Sequence, residues 1–326
     1  MIEIRGLTKR YGSLTAVDNL WLTVERGDAL GFIGPNGAGK TTTIRMLATI
    51  LKPDSGTALI NGHDVSREPE AARAALGYMP DFFGMYDDMQ VWEYLDFFAA
   101  AYRVPRHQRA GLISDVLELT DLTERRRSSV NSLSRGMTQR LCLAKTLVHD
   151  PEVLLLDEPA SGLDPRARVE VRELLRELCK MDKTILISSH ILPELSELCN
   201  KIAIIEQGRL VTAGTVDTIS AQLAGGTRLI IRLHDRLDEA CQFLAGLPRI
   251  ADVTATAGSG GGLEARPTGV GGDGVIEALY QGERGQQHEV VTALVTRGFK
   301  VQSFVEEETD LETIYMRATR GLGTDG

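Results

Sequence analysis

Ile2 and Ile4 alternate with Glu3 and Arg5 at the start of the chain. Val17, Leu20, Leu22 and Val24 extend an apolar pattern of strand type up to the turn Glu25-Arg26-Gly27-Asp28. The continuous apolar run Ala29-Leu30-Gly31-Phe32-Ile33 predicts a buried strand. Residues 43–50 then take a helical period, with Ile44, Leu47 and Ile50 or Leu51 on one face. Lys52-Pro53-Asp54-Ser55-Gly56 breaks that pattern, and residues 57–65 read as a hairpin on a tight Asn61-Gly62 turn. From 91 to 120 the period is helical again. Trp92, Leu95, Phe98 and Ala99 share one face, Leu112, Val116 and Leu119 another, and Pro105 separates the two helices. Two more apolar runs, 153–156 and 184–189, flank an amphipathic helix over 166–180. Strands alternating with helices predict a parallel sheet whose chemistry lies at the carboxyl ends of its strands.

The composition shifts after Gly225-Gly226. Beyond it the pattern predicts strand (227–233), helix (237–244), strand (251–256) and strand (263–266). A glycine-rich loop (269–274), helix (288–296) and strand (300–305) follow, and 310–316 reads as a terminal helix. The order β-α-β-β-α-β is that of a small α+β ferredoxin-like unit. It carries no catalytic cluster. The expected domains are therefore 1–222 and an accessory domain, 227–320.

Bulk properties narrow the function. The 326 residues carry a net charge of −9, so nucleic acid is not an expected partner. The one dense basic cluster, Arg125-Arg126-Arg127, reads as a solvated helix end. No apolar stretch reaches the roughly 18–20 residues that cross a bilayer, and Met1–Arg5 does not resemble a signal peptide. Cys142, Cys179, Cys199 and Cys241 form no paired motif and fit reduced positions in a cytoplasmic protein. Any membrane role is expected to come through a partner.

Chemistry concentrates at the predicted strand ends. Gly34-Pro35-Asn36-Gly37-Ala38-Gly39-Lys40-Thr41, with Thr42 beside it, lies between the strand at 29–33 and a helix. This is the strand–loop–helix setting of a phosphate-binding loop, in which glycines let backbone N–H groups turn toward phosphate oxygens. Lys40 is expected to reach the outer phosphates, and Thr41 to ligate Mg²⁺. Asp157 and Glu158 follow the strand at 153–156, where they suit a metal partner and a water-positioning base; a surface turn is the plainer alternative. Tyr11 suits packing at a strand end and stacking on an adenine ring equally well. Phe82, Phe83 and Tyr86 lie in a loop where large apolar side chains are hard to bury, which favours a protein-docking surface.

Leu133-Ser134-Arg135-Gly136-Met137 decides among nucleotide-binding proteins, because it resembles the signature motif of the ATP-binding-cassette (ABC) ATPases. The family's other blocks follow in its order, over about residues 1–220. Tyr11 stands where the adenine-stacking aromatic is expected, Ser161-Gly162-Leu163-Asp164 looks like the D-loop, and His190 occupies the switch-histidine position. The resemblance implies an α/β fold with a parallel-sheet core, an antiparallel β subdomain and a helical subdomain at about 82–148. It implies an ATPase with Glu158 and His190 as catalytic residues, and Tyr11, Gly34, Pro35, Asn36, Gly37, Ala38, Gly39, Lys40, Thr41 and Thr42 on the nucleotide.

It further implies a head-to-tail pair of cassettes, from a second copy or a paralogue, around two Mg-ATP. Ser134, Gly136 and Asp164 of one would meet the nucleotide of the other. The chain would drive a separate integral-membrane permease from the inner face of the cell membrane. The C-terminal unit resembles the tails of multidrug-, antibiotic- and polysaccharide-export ATPases. The sequence departs from the family twice. Asp81 follows Tyr78-Met79-Pro80 where glutamine is usual, and is counted with Thr41 and Asp157 for metal and with the nucleotide set. Arg135 replaces the first signature glycine, with its guanidinium expected either near the γ-phosphate or in solvent. The alternatives are a non-transport ABC ATPase and a nucleotide-gated scaffold with weak turnover.

Overall fold

Aliphatic runs with no polar interruption become the inner strands of a sheet, because only burial on both faces removes so much apolar surface from water. The computed structural model describes residues 1–82, 84–86, 88–181, 183–191, 195–219, 227–257, 274–282 and 285–307. The chain divides into two units, Met1–Val216 and Asp217–Gly326.

In the first unit, β1 (Ile2–Tyr11), β2 (Leu14–Val24), β4 (Ser55–Ile60) and β5 (His63–Asp64) form an antiparallel sheet in the order β2-β1-β4-β5. A second sheet contains β3 (Ala29–Ile33), β6 (Leu76–Met79), β7 (Val153–Asp157), β8 (Thr184–Ser189), β9 (Lys201–Glu206) and β10 (Arg209–Thr215). Its order is β10-β9-β3-β8-β7-β6, parallel except for β10. β3, β7 and β8 are buried along their whole length. Their register pairs Ile33 with Ser189 and Asp157 with Ser188, so the three carboxyl ends finish level. α1 (Lys40–Leu47) leaves the end of β3 through the phosphate-loop residues. One apolar cluster joins Leu7, Val17, Leu20, Phe32, Ile44, Leu47 and Leu155 across the two sheets and α1. Each such side chain contributes about 1.5–3 kcal/mol by leaving water.

The helical part comprises α2 (Pro69–Ala75), α3 (Val91–Ala101), α4 (Arg106–Leu119), α5 (Arg135–Leu147) and α6 (Pro165–Cys179). Several expectations need correction here. α1 stops before Ile50 because Thr49 turns left-handed (φ 62°); Ile50 is 63% exposed, and Leu51 packs on the cluster instead. In α3 the buried face begins with Val91, Tyr94 and Leu95, while Trp92 is exposed.

 Ala99 completes that face, and Phe98 is half-buried. In α4 the buried residues are Ile113, Val116 and Leu117, with Leu112 and Leu119 only half-buried. Both faces are rotated by about one residue from the expected ones, because α3, α4 and α5 pack on one another and the shared core selects the contact stripe. The sequence pattern also left out α2, β6 and the hairpin β9–β10. The Asn61-Gly62 hairpin forms as expected, pairing Ile60 with His63.

In the second unit, β11 (Thr227–Leu233), α7 (Leu237–Ala245), β12 (Ile250–Ala257), β13 (Gly274–Tyr280), α8 (His288–Thr296) and β14 (Val301–Glu307) follow the ferredoxin-like order. The sheet is antiparallel, β12-β13-β11-β14. Leu229, Ile231, Ile276, Leu244 and Leu294 form its core with Phe299. The third described strand is Gly274–Tyr280; the expected strand at 263–266 and the terminal helix at 310–316 lie outside the described residues.

Candidate functional site

The phosphate loop begins where β3 ends. Gly39 caps α1 at φ 105°, and a β-carbon there would press into the backbone of Ala16 and lie 3.4 Å from Val17. Only glycine accepts both that conformation and that closeness. The first turn of α1 contains no acidic residue, so its free N–H groups and positive dipole end face the loop unopposed. Lys40 is 6% exposed. Its ammonium donates to the carbonyls of Gly34 at 2.7 Å and Pro35 at 3.3 Å, and lies 3.4 Å from Glu158 Oε1.

Asp157 closes β7 and is completely buried. Its Oδ1 accepts from Ser188 Oγ at 2.7 Å and from Thr41 Oγ1 at 3.2 Å. Oδ2 is buried and has no hydrogen-bond partner among the described residues. Burial pushes this carboxyl above the usual carboxylate range, against the two hydroxyl donors, and nearby Asp81 adds to the rise. An ionised carboxylate with one oxygen unpartnered, beside a threonine hydroxyl, is a donor set suited to a divalent cation.

Glu158 adopts a left-handed backbone, φ 50°, which its N–H secures by donating to Ser188 Oγ at 3.0 Å. The turn aims the carboxylate back across the sheet end. Oε2 lies 3.0 Å from Nδ1 of His190. An ionised carboxylate only accepts, so Nδ1 is the donor in this contact. The pocket is lined by Tyr11, Pro35, Asn36, Gly37, Gly39, Lys40, Thr41, Thr42, Asp81, Glu158 and His190, with Leu14, Ala16 and Ser161. Tyr11 is about half exposed at its rim.

The remaining expected residues fall elsewhere. Gly34 and Ala38 build the loop from behind: Gly34 lies against Ile205 and Ala38 is buried in the core cluster. Ser134 is exposed and caps α5 by accepting from Met137 N–H at 3.3 Å. Gly136 abuts Ala167 of α6, and Asp164 caps α6 by accepting from Arg166 and Ala167 N–H groups at 3.0 Å each. None of these three lines the pocket of its own chain. Arg135 is exposed, as the solvent alternative expects, and its guanidinium lies against Gly162. Sequence reading passed over Ser188, which ties Asp157 to Glu158. Its signal was a small hydroxyl side chain ending an aliphatic strand.

Comparison with known proteins places this geometry in a family. A family model described as ABC transporter matches residues 17–161. The daunorubicin resistance ATP-binding protein DrrA3 of Streptomyces coeruleorubidus is 38% identical over 234 residues, covering 72% of this chain and 74% of the relative. The chain belongs to the ABC transporter ATP-binding proteins. As an ABC ATPase it binds and hydrolyses ATP. The Nod factor export ATP-binding protein I of Paraburkholderia xenovorans is 40% identical over 224 residues, 69% of this chain and 74% of that protein. A solved structure of an ATP-binding subunit of an ABC transporter superposes with a TM-score of 0.62 at 30% identity, covering 68% of this chain and 92% of that one.

Proposed function

We propose that the chain is the motor subunit of an exporter: two cassettes close around two Mg-ATP, and their hydrolysis drives a separate permease. The observation that carries this reading is the convergence of Lys40, Glu158 and His190 on one pocket, with Asp157 behind it. Thr41 and Asp157, with Asp81 at the pocket wall, would hold Mg²⁺, which when bound supplies neutralisation of phosphate charge. Lys40 exchanges its carbonyl partners for phosphate oxygens. Glu158 orients a water and accepts its proton as the water oxygen bonds to the γ-phosphorus. The bond from that phosphorus to the β–γ bridging oxygen breaks, and ADP and phosphate leave. His190 holds Glu158 through Nδ1 and offers Nε2 toward the γ-phosphate side.

Ser134 and Gly136 at the start of α5 would complete the site of a second copy or paralogue, because a helix N-terminus and a hydroxyl suit an anionic oxygen. Asp164 would act there through the loop it caps. Export is supported by the relatives, which are named for daunorubicin resistance and Nod factor export. No helix among the described residues is long and apolar enough to cross a membrane. In this reading the permease is a separate chain, with the cassette at its inner face. Phe82, 90% exposed and next to the pocket residue Asp81, is the proposed contact with it. Tyr86 instead packs edge-on against Phe97, 5.5 Å between ring centres, and Phe83 lies outside the described residues.

Glu158→Gln tests the catalytic assignment. The variant should bind ATP, accumulate as a dimer in sedimentation and lose hydrolysis by on the order of 10²–10³-fold. Hydrolysis at the parent rate would remove Glu158 from the mechanism. Purification from membranes tests the transport assignment: the chain should be recovered with a multispanning protein, and recovery alone from a soluble fraction contradicts it.

A further inference from the structure

Glu158 stands in a left-handed conformation, φ 50°, which a residue with a β-carbon keeps only where its surroundings hold it. On the upstream side its own N–H donates to Ser188 Oγ at 3.0 Å. On the downstream side the next residue is Pro159. Proline has no N–H, so the carbonyl is its only polar backbone group. Gln139 of α5 binds that carbonyl, donating from Nε2 at 2.5 Å. A carbonyl only accepts, so the amide nitrogen is the end of Gln139 turned toward it. Ser161 N–H closes the turn by donating to the Glu158 carbonyl at 3.0 Å.

Both partners of the Gln139 bond are out of reach of solvent: Gln139 is 4% exposed and Pro159 is buried. Breaking it would leave a buried donor and a buried acceptor without water to replace either. The donor also stands on a fixed support. Leu141, Cys142, Leu143 and Ala144 of α5 are completely buried, Gly136 abuts Ala167 of α6, and Arg140 donates to the Asp121 carboxylate at 2.8 Å. The bond therefore ties the Glu158 turn to a packed helix 20 positions away in sequence.

We propose that Gln139 is a positioning residue for hydrolysis: its buried amide fixes the Pro159 carbonyl, and with it the left-handed turn that carries the Glu158 carboxylate to Lys40 and His190. The inference rests on the reading of Glu158 as the hydrolytic residue. Without the donor, the Pro159 carbonyl turns to find another partner, and Glu158, joined to the proline ring nitrogen, turns with it. A carboxylate displaced by a fraction of an ångström loses much of its catalytic advantage, while the phosphate loop, built on other contacts, keeps its hold on ATP.

The test compares Gln139→Met, Glu158→Gln and the double variant in the full-length chain, by steady-state ATP hydrolysis below the melting midpoint of every variant. Methionine fills the same space and removes the donor. Gln139→Met should lower kcat by on the order of tenfold with the KM for ATP unchanged. Gln139→Asn keeps the amide but not its reach and should show the same loss, so it carries the test if the methionine variant does not fold. Added to Glu158→Gln, Gln139→Met should lower hydrolysis no further, because a positioning residue has no effect once the group it positions is gone. Parent kcat in the Gln139 variants, a loss that appears in KM instead, or a further loss in the double variant would overturn the proposal and leave the role of Glu158 standing. Hydrolysis by Glu158→Gln at the parent rate, with Gln139→Met slowed, would instead reject the role of Glu158 and its positioning together.

Discussion

The two surfaces proposed to face nucleotide in this cassette are built in opposite ways. Around the phosphate loop, polar groups are gathered inward: Lys40 is held by two carbonyls and Glu158, Asp157 by two hydroxyls, and His190 by Glu158. At the start of α5, Ser134 and Arg135 are exposed, and what order they have comes from helix capping and contact with Gly162. The first surface is pre-arranged by one chain's core. The second is exposed and lies outside the phosphate-loop pocket, which is how half of a shared site is expected to look.

The sharpest way to break this contrast is Lys40→Ala. It removes the buried cation from the self-contained surface and should cost hydrolysis on the order of 10²–10³-fold, read as phosphate release. Ser134→Arg acts on the other surface. It should leave ATP binding by the single chain intact, abolish the ATP-dependent dimer and reduce hydrolysis at least roughly tenfold. If both variants lost ATP binding equally, the division into a complete and a half site would fail. Tyr11→Ala tests the rim and decides between the two uses open to that tyrosine. Loss of ring stacking should weaken ATP binding about two- to tenfold, as about 0.5–1.5 kcal/mol implies, with the melting midpoint unchanged. A lowered midpoint with unchanged affinity would make Tyr11 a packing residue.

The smallest effect lies away from both surfaces. His149 stacks on Tyr102 at 3.6 Å and donates from Nε2 to the Leu76 carbonyl at 3.0 Å, while its Nδ1 is buried without a partner among the described residues. Burial lowers its pKa from the ordinary value near 6.5, outweighing the Leu76 carbonyl. The folded chain therefore binds this proton less readily than the unfolded chain does. Its contribution is present above about pH 6.5 and is lost as pH falls from there through the depressed folded value. The melting midpoint should drop across that window and drop less in His149→Gln.

The contrast also explains what was legible in the sequence. The phosphate loop, Asp157, Glu158 and His190 could be read because a contiguous motif or a strand end fixes each of them. The parallel sheet followed from uninterrupted aliphatic runs, and the ferredoxin-like order from alternating patterns around short helices. Trp92 and Phe98 were assigned to a buried face because period alone cannot fix the absolute rotation of a helix; its neighbours do. β6 was missed because Leu76-Gly77-Tyr78-Met79 is short and contains a glycine, yet that glycine is required where Thr146 Cγ2 would stand 2.8 Å from a β-carbon. The direction of Arg135 depends on Gly162, 27 positions away in sequence, so no local pattern carries it.

β6 has a further consequence, in the exchange of amide hydrogens with solvent. Among the described residues it is the edge of its sheet and pairs with β7 alone, Leu76 with Val153 through Met79 with Leu156. Amides directed at β7 are shielded by that pairing, and those directed outward have no strand beyond them. The same four residues run straight into Pro80 and then Asp81 at the pocket wall. Deuterium uptake along Leu76–Met79 should therefore alternate between slow and fast positions. The fast ones place an internal reporter of nucleotide occupancy a few residues from the site itself.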